Sequence, residues 1–165
     1  MTATTIQRWQ LEHDAQATRE VFAQLPVGSG CDCQECRNFF AAIDRAFPPE
    51  FHRIAEQLGI ELTKPAELAH YGREDGGVLI VGGWFHFIGR IITGADAMRE
   101  DSSGTGHFYL EHLTPEFSLG FSSHLALVAE PFRSQPVVQL EFETRVPWVL
   151  AEVYAPDERT YEIKT

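Results

Sequence analysis

The chain has 165 residues and sets 24 acidic against 13 basic side chains, for a formal net charge of −11. Only Lys64 and Lys164 are lysines and no basic run exists, which argues against nucleic acid, since that binding draws on clustered cations that release phosphate counterions. A hydrophobic fraction of 44%, with 12 Phe and 3 Trp, suits one globular domain over 1–165 with an aromatic core, and the charge makes a cationic protein the natural macromolecular partner.

The start, Met1 to Trp9, has neither the charged opening nor the apolar run of a secretory signal. The longest apolar stretch, Val78 to Gly89, is interrupted by Gly82, Gly83 and His86 and is too short for a bilayer. With an odd number of cysteines, a disulfide framework is not expected, and the chain reads as a reducing, cytoplasmic protein.

Taken in order, residues 6–11 alternate weakly and predict a first strand. Asp14 is placed to cap a helix carrying Ala15, Thr18, Val21, Phe22 and Leu25 on one face, stopped by Pro26. From Gln34 to Phe47 the stripe Phe39, Phe40, Ile43 and Phe47 predicts a second helix. Pro48-Pro49 ends it and opens a third, with Phe51, Ile54, Ala55 and Leu58 at helical spacing and Gly59 as a left-handed stop. After Lys64-Pro65 the pattern turns extended: residues 66–71 and 78 onward read as a hairpin, with Gly82-Gly83 either a tight turn or a bulge in one strand ending near Thr93. Residues 94–106 form a polar loop, and 107–113, 117–122 and 124–129 are short strand candidates. Pro136 to Val146 is a clearer strand, with Val138, Leu140 and Phe142 on one face and Gln139, Glu141 and Glu143 on a wet one. Trp148 to Leu150 is expected to be buried, and a polar tail begins at about Pro156. The fold class is therefore α+β: N-terminal helices packed on a mainly antiparallel β-sheet formed by the second half.

The chemistry concentrates in Cys31-Asp32-Cys33-Gln34-Glu35-Cys36, which holds all three cysteines at the start of a helix. Thiolates suit zinc or iron–sulfur clusters, and ligands two or three residues apart in a turn can converge on one ion. Zinc needs a fourth ligand. His52 is nearest in sequence, but an antiparallel second helix carries it about two turns away, so a sheet histidine is preferred: His86, with His70 as the other choice. The site predicted here is thus Cys31, Cys33, Cys36 and His86 with zinc as cofactor. A second reading makes Cys33 and Cys36 a thiol redox pair at a helix N-terminus, and a third leaves all three as packed thiols.

Elsewhere the chemistry is thin. The seven histidines show no two-histidine helical zinc motif. Ser122-Ser123-His124 lacks a nucleophile elbow, Glu141 and Glu143 read as solvated strand glutamates in preference to a glycosidase pair, and Gly104-Thr105-Gly106 lacks the third glycine of a dinucleotide fingerprint. No catalytic residue is assigned and an enzyme is not favoured. The acidic sheet face suggests, as the alternative to a metal-stabilised protein, an immunity-type inhibitor covering a cationic partner.

Cys31-Asp32-Cys33-Gln34-Glu35-Cys36-Arg37-Asn38-Phe39, with Leu58-Gly59-Ile60, Gly83 to Gly89, Gln139 to Phe142 and Pro147-Trp148-Val149-Leu150, resembles a family of small bacterial proteins for which no activity is established. The resemblance spans residues 20–150. It implies a bacterial cytosolic origin and an α+β fold, and it assigns no catalytic residue.

Overall fold

The chain begins with strands, ahead of any helix. In the computed structural model, which describes residues 1–155, β1 (Thr2–Ile6) and β2 (Trp9–His13) form an antiparallel hairpin. Its turn places Gln7 at φ 49°. The strand expected over 6–11 therefore straddles a turn that has neither Gly nor Asn to announce it. The polar tail expected from Pro156 lies outside the described residues.

Four helices follow: α1 (Ala15–Phe22), α2 (Gln34–Ala41), α3 (Ile43–Ala46) and α4 (Pro49–Leu58). Asp14 caps α1 by accepting the Ala17 N–H at 2.9 Å, Pro49 sits in the first turn of α4, and Gly59 closes that helix at φ 78°, as the local signals predict. The helix expected over 34–47 is broken at Ala42. The break tips the end of α3 towards the sheet, where the Ala46 carbonyl accepts the Thr144 hydroxyl at 2.6 Å.

The remaining strands are β3 (Glu67–Arg73), β4 (Leu79–Thr93), β5 (Met98–Glu100), β6 (Gly106–Phe108), β7 (Glu111–Thr114), β8 (Phe117–Ser122) and β9 (Val137–Val146). The strand candidate at 107–113 divides between β6 and β7, and the one at 124–129 is irregular chain leading into a 3-10 turn at Glu130–Phe132. Seven strands form one sheet in the order β1-β2-β4-β9-β8-β7, with β3 also paired to β4. All its pairings are antiparallel. A separate small hairpin, β5–β6, lies outside that sheet.

Gly82 and Gly83 interrupt nothing. β4 is a continuous strand of 15 residues, paired with β9 from Leu79↔Val146 to Ile88↔Val137. The glycines are there because other groups approach the backbone: a Cβ at Gly82 would stand 2.5 Å from the Tyr71 ring, and one at Gly83 2.3 Å from the Glu67 carbonyl.

Strand alternation sorts the side chains of this central pair. Val81, Phe85 and Phe87 of β4 and Val138, Leu140 and Phe142 of β9 form one fully buried face. The helices cover it with Phe39, Phe47 and Phe51. The Phe47 ring centroid stands 5.2 Å from that of Phe142 and 5.1 Å from that of Phe51, and Phe51 stands 4.6 Å from Phe117. The opposite face carries Gly82, Trp84 and His86 with Gln139, Glu141 and Glu143.

That second face is not wet. Gln139 and Glu141 are buried because non-local chain folds over them: Ala126 accepts the Trp84 indole N–H at 3.1 Å through its carbonyl and donates its own N–H to Gln139 Oε1 at 2.8 Å. The 148–150 segment differs too, since Trp148 and Leu150 are half-buried and Val149 is exposed. No helix among the described residues is long and apolar enough to cross a membrane.

Phe47 joins three helices to three strands, so truncating it leaves a cavity that neighbouring rings cannot all collapse into. Phe47→Ala is expected to lower stability by about 3–5 kcal/mol in urea denaturation, with the helix and strand content of the folded protein unchanged by circular dichroism.

Candidate metal centre

The three cysteines converge because the chain enters α2 through a turn that the thiols themselves help to build. Cys33 is the N-cap of α2, and its Sγ accepts the Cys36 N–H at 3.5 Å. Cys31 Sγ accepts the Cys33 N–H at 3.5 Å, and the Ser29 hydroxyl donates to Cys36 Sγ at 3.6 Å. Each sulfur thus receives one donor, which by itself lowers a thiol pKa, but burial outweighs it at Cys33 and Cys36. The positive end of the α2 dipole lies on the same side. The three sulfurs lie within 4.8 Å of one another, with Cys31 exposed, Cys33 half-buried and Cys36 buried. All three are free of disulfides.

A fourth donor arrives from the sheet. His70 of β3 brings Nε2 to 3.6 Å from Cys36 Sγ. Its placement follows from register: His70 pairs with Val81, whose side chain faces the helices, so the imidazole points to the layer that holds α2. Nδ1 of His70 is buried and has no hydrogen-bond partner among the described residues. Burial lowers the His70 pKa, and the Glu35 carboxylate offsets this in part. The ring is therefore kept in the neutral form that binds metals.

His86, the histidine expected to ligate, stands elsewhere. It lies on the opposite face of β4 from Val81 and pairs with Gln139. Its Nε2 is engaged by Gln139 Oε1 at 3.1 Å, and its ring packs 5.9 Å from Phe132. It lines a cavity of about 240 Å³ together with Ser29 and Gly30, so it nears the loop before the cysteines without joining the sulfurs. Strand parity is the reason: residues 81 and 86 are an odd number apart. His52, on α4, packs its ring against Phe47. His107, His112 and His124 pair with Asp101, Ser118 and Asp96 at 3.0, 3.0 and 3.6 Å.

The three cysteines lie close enough together to be consistent with a metal ion. Around tetrahedral zinc, bonds of about 2.3 Å to sulfur and 2.0–2.1 Å to nitrogen place sulfurs about 3.8 Å apart and a sulfur about 3.6 Å from the nitrogen. The Cys36–His70 separation of 3.6 Å matches that of such a pair, and the three sulfurs lie within 4.8 Å of one another. Burial pushes the Cys33 and Cys36 thiols up, and only Cys31, held by the Cys33 N–H, is lowered. Thiols so raised stay protonated in the bare polypeptide, and ligation of a metal would have to displace those protons.

The site is braced by chain from the other end of the sequence. Asn38, fully buried, donates through Nδ2 to the Pro147 carbonyl at 3.0 Å and accepts the Val149 N–H on Oδ1 at 2.8 Å. Beyond it Glu152 pairs with Arg37 at 2.5 Å, Ala155 N–H donates to Gln34 Oε1 at 2.9 Å, and the Tyr154 hydroxyl meets Glu35 at 3.1 Å. Residues 147–155 therefore lie as a strap along the first turns of α2. Neither Asn38 nor Ser29 stands out in the sequence as part of the site, although the Asn two residues after Cys36 and the Pro-Trp-Val-Leu segment are what this clamp joins.

No protein-family model matches the chain, and no curated protein or solved structure is significantly similar to it.

Removing the Asn38 amide leaves the part-buried Pro147 carbonyl and Val149 N–H without their partner. Asn38→Ala is expected to cost about 2–4 kcal/mol and to release the strap, read as fast hydrogen exchange at the Val149 amide. An Asn38→Ala protein with wild-type protection there would contradict the clamp.

Proposed function

We propose that the chain is a metal-stabilised, non-enzymatic protein in which Cys31, Cys33, Cys36 and His70 hold one structural zinc ion. The observation that carries this reading is the approach of His70 Nε2 to 3.6 Å from Cys36 Sγ, within a cluster whose three sulfurs already lie within 4.8 Å of one another. Four protein ligands close the coordination sphere, which is the signature of a structural site; a catalytic zinc keeps a position open. The ion would fasten three parts of the chain that share little other contact: the loop at Ser29, the N-terminus of α2 and strand β3. Ligation by reduced thiols is consistent with a cytoplasmic setting.

A thiol redox role draws less support. It needs a thiolate-forming nucleophile at the helix terminus, yet burial pushes Cys33 and Cys36 the other way. The inhibitor reading rests on net charge alone, because the strand face named for it is covered at Gln139 and Glu141.

Protein purified without chelator should carry about one zinc per chain by elemental mass spectrometry. Cys33→Ser and His70→Ala should each lose or weaken that zinc, whereas His86→Gln should retain it. If the ion contributes on the order of 3 kcal/mol, removing it lowers the melting temperature by about 6–12 °C for a domain of this size. Metal-free protein with three maleimide-reactive thiols would overturn the proposal.

A further inference from the structure

On the sheet face opposite the helices lies a cavity of about 470 Å³ whose lining includes Tyr71, His107, His112, Ser118, Glu141 and Glu143. Its walls come from separate parts of the chain. β3 carries a bulge between His70 and Gly72, which leaves Tyr71 to lay its ring over Gly82, where a Cβ would stand 2.5 Å from the ring and 2.7 Å from the hydroxyl. The β6 and β7 segments supply the histidines, and the Ser118 hydroxyl sits 3.0 Å from His112 Nδ1.

Glu141 is the most buried of the cavity's polar side chains. It is 5% exposed, and its Oε1 accepts a hydrogen bond from the Gln139 side-chain amide. Gln139 is itself fixed, since its own oxygen is engaged by the Ala126 N–H at 2.8 Å and by His86 at 3.1 Å. Oε2 of Glu141 has no hydrogen-bond or ion-pair partner among the described residues, and no Lys or Arg lines the cavity. A carboxylate oriented by a buried amide, with one oxygen left facing a cavity and a second glutamate beside it, lacks only a counter-charge.

We propose that this cavity binds an organic cation, an ammonium or guanidinium group that Glu141 receives on Oε2 with Glu143 as its neighbour. Two residues apart on one strand, the two carboxylates spring from positions about 6.6–6.8 Å apart, a span that a short diamine bridges. Tyr71 supplies an aromatic wall for the alkyl part. Gln139 acts as a positioning residue that turns Glu141 towards the ligand. The site is on the other side of the sheet from the cysteines and does not depend on the metal.

The pH behaviour follows from the same burial. Loss of solvation pushes the Glu141 carboxyl up to about 7, against the Gln139 hydrogen bond that lowers it. Its folded value lies above the unfolded one, so the folded chain keeps a proton that the unfolded chain releases. The resulting stability is present at low pH and is lost as pH rises through about 7. Cation binding requires the ionised form, so affinity rises over that same range and binding releases a proton. Glu143, the Tyr71 hydroxyl, His107 paired with Asp101, His112, and His86 beyond Gln139 are the other titratable groups facing Glu141. The deciding comparison is therefore a variant, with the pH profile in support.

The test is calorimetric titration of the full chain with 1,4-diaminobutane, with 1,4-butanediol as the uncharged analogue. The diamine should bind saturably at pH 8 and about tenfold more weakly at pH 6, from the ionised fraction of a group titrating near 7; the diol should not bind. Glu141→Gln keeps the shape and removes the charge, and should lose at least about tenfold in affinity at pH 8 while melting no lower than wild type there. Absence of saturable binding at pH 8, equal affinity in Glu141→Gln, tighter binding at pH 6, or binding of the diol as tight as that of the diamine would each overturn the proposal.

Discussion

The structure depends on one run of backbone pairing, the ten-residue antiparallel register between β4 and β9 from Leu79↔Val146 to Ile88↔Val137. Because strand side chains alternate strictly, this register assigns every residue of both strands to one of two faces. A slip of one residue would send Phe85, Phe87, Leu140 and Phe142 to the polar side and bring His86, Gln139 and Glu141 under the helices. Ten paired positions and an interlocked set of phenylalanines hold the register against that exchange. On the helical face, Phe47 lies against five other phenylalanines, which ties the end of α3 to the sheet.

β3 extends the same division to the two candidate sites. His70, opposite Val81, faces the helices and reaches Cys36, while Tyr71, released by the bulge that follows, lies over Gly82 on the other side. Adjacent residues therefore belong to different chemistry. The cysteine turn is a set of soft donors at a helix terminus, with burial that disfavours bare thiolates. The cavity behind the sheet is a pair of carboxylates with no cation in its lining. On the two readings proposed above, each would receive a positive charge of a different kind.

Much of the helical layer was legible in the sequence, because its signals are local. Asp14, Pro48-Pro49 and Gly59 mark ends through their own backbone preferences, and the phenylalanine spacing identifies the buried side of α2 and α4. The cysteine cluster was legible for the same reason, since its spacing lies within one turn. What could not be read depends on distant chain. The β1–β2 turn at Gln7 carries no glycine, and the break at Ala42 has no proline to mark it. Gly82-Gly83 fits either a turn or a strand on sequence alone, and the close approach of Tyr71 and Glu67 from another strand is what accounts for it. The alternation in β9 was read correctly, but a polar face cannot reveal whether water or the 124–132 segment covers it. The choice between His70 and His86 likewise turns on strand parity relative to α2, and that parity is set by the β3–β4 register.

The central claim is that β3 and the cysteine turn are joined through one ion, with His70 completing the set. X-ray absorption at the zinc edge of the full-length protein tests it most directly. The account predicts a four-coordinate shell of three sulfurs at about 2.3 Å and one imidazole nitrogen at about 2.0–2.1 Å, with the imidazole contribution lost in His70→Ala and kept in His86→Gln. A shell without imidazole, or one unchanged by His70→Ala, would contradict it.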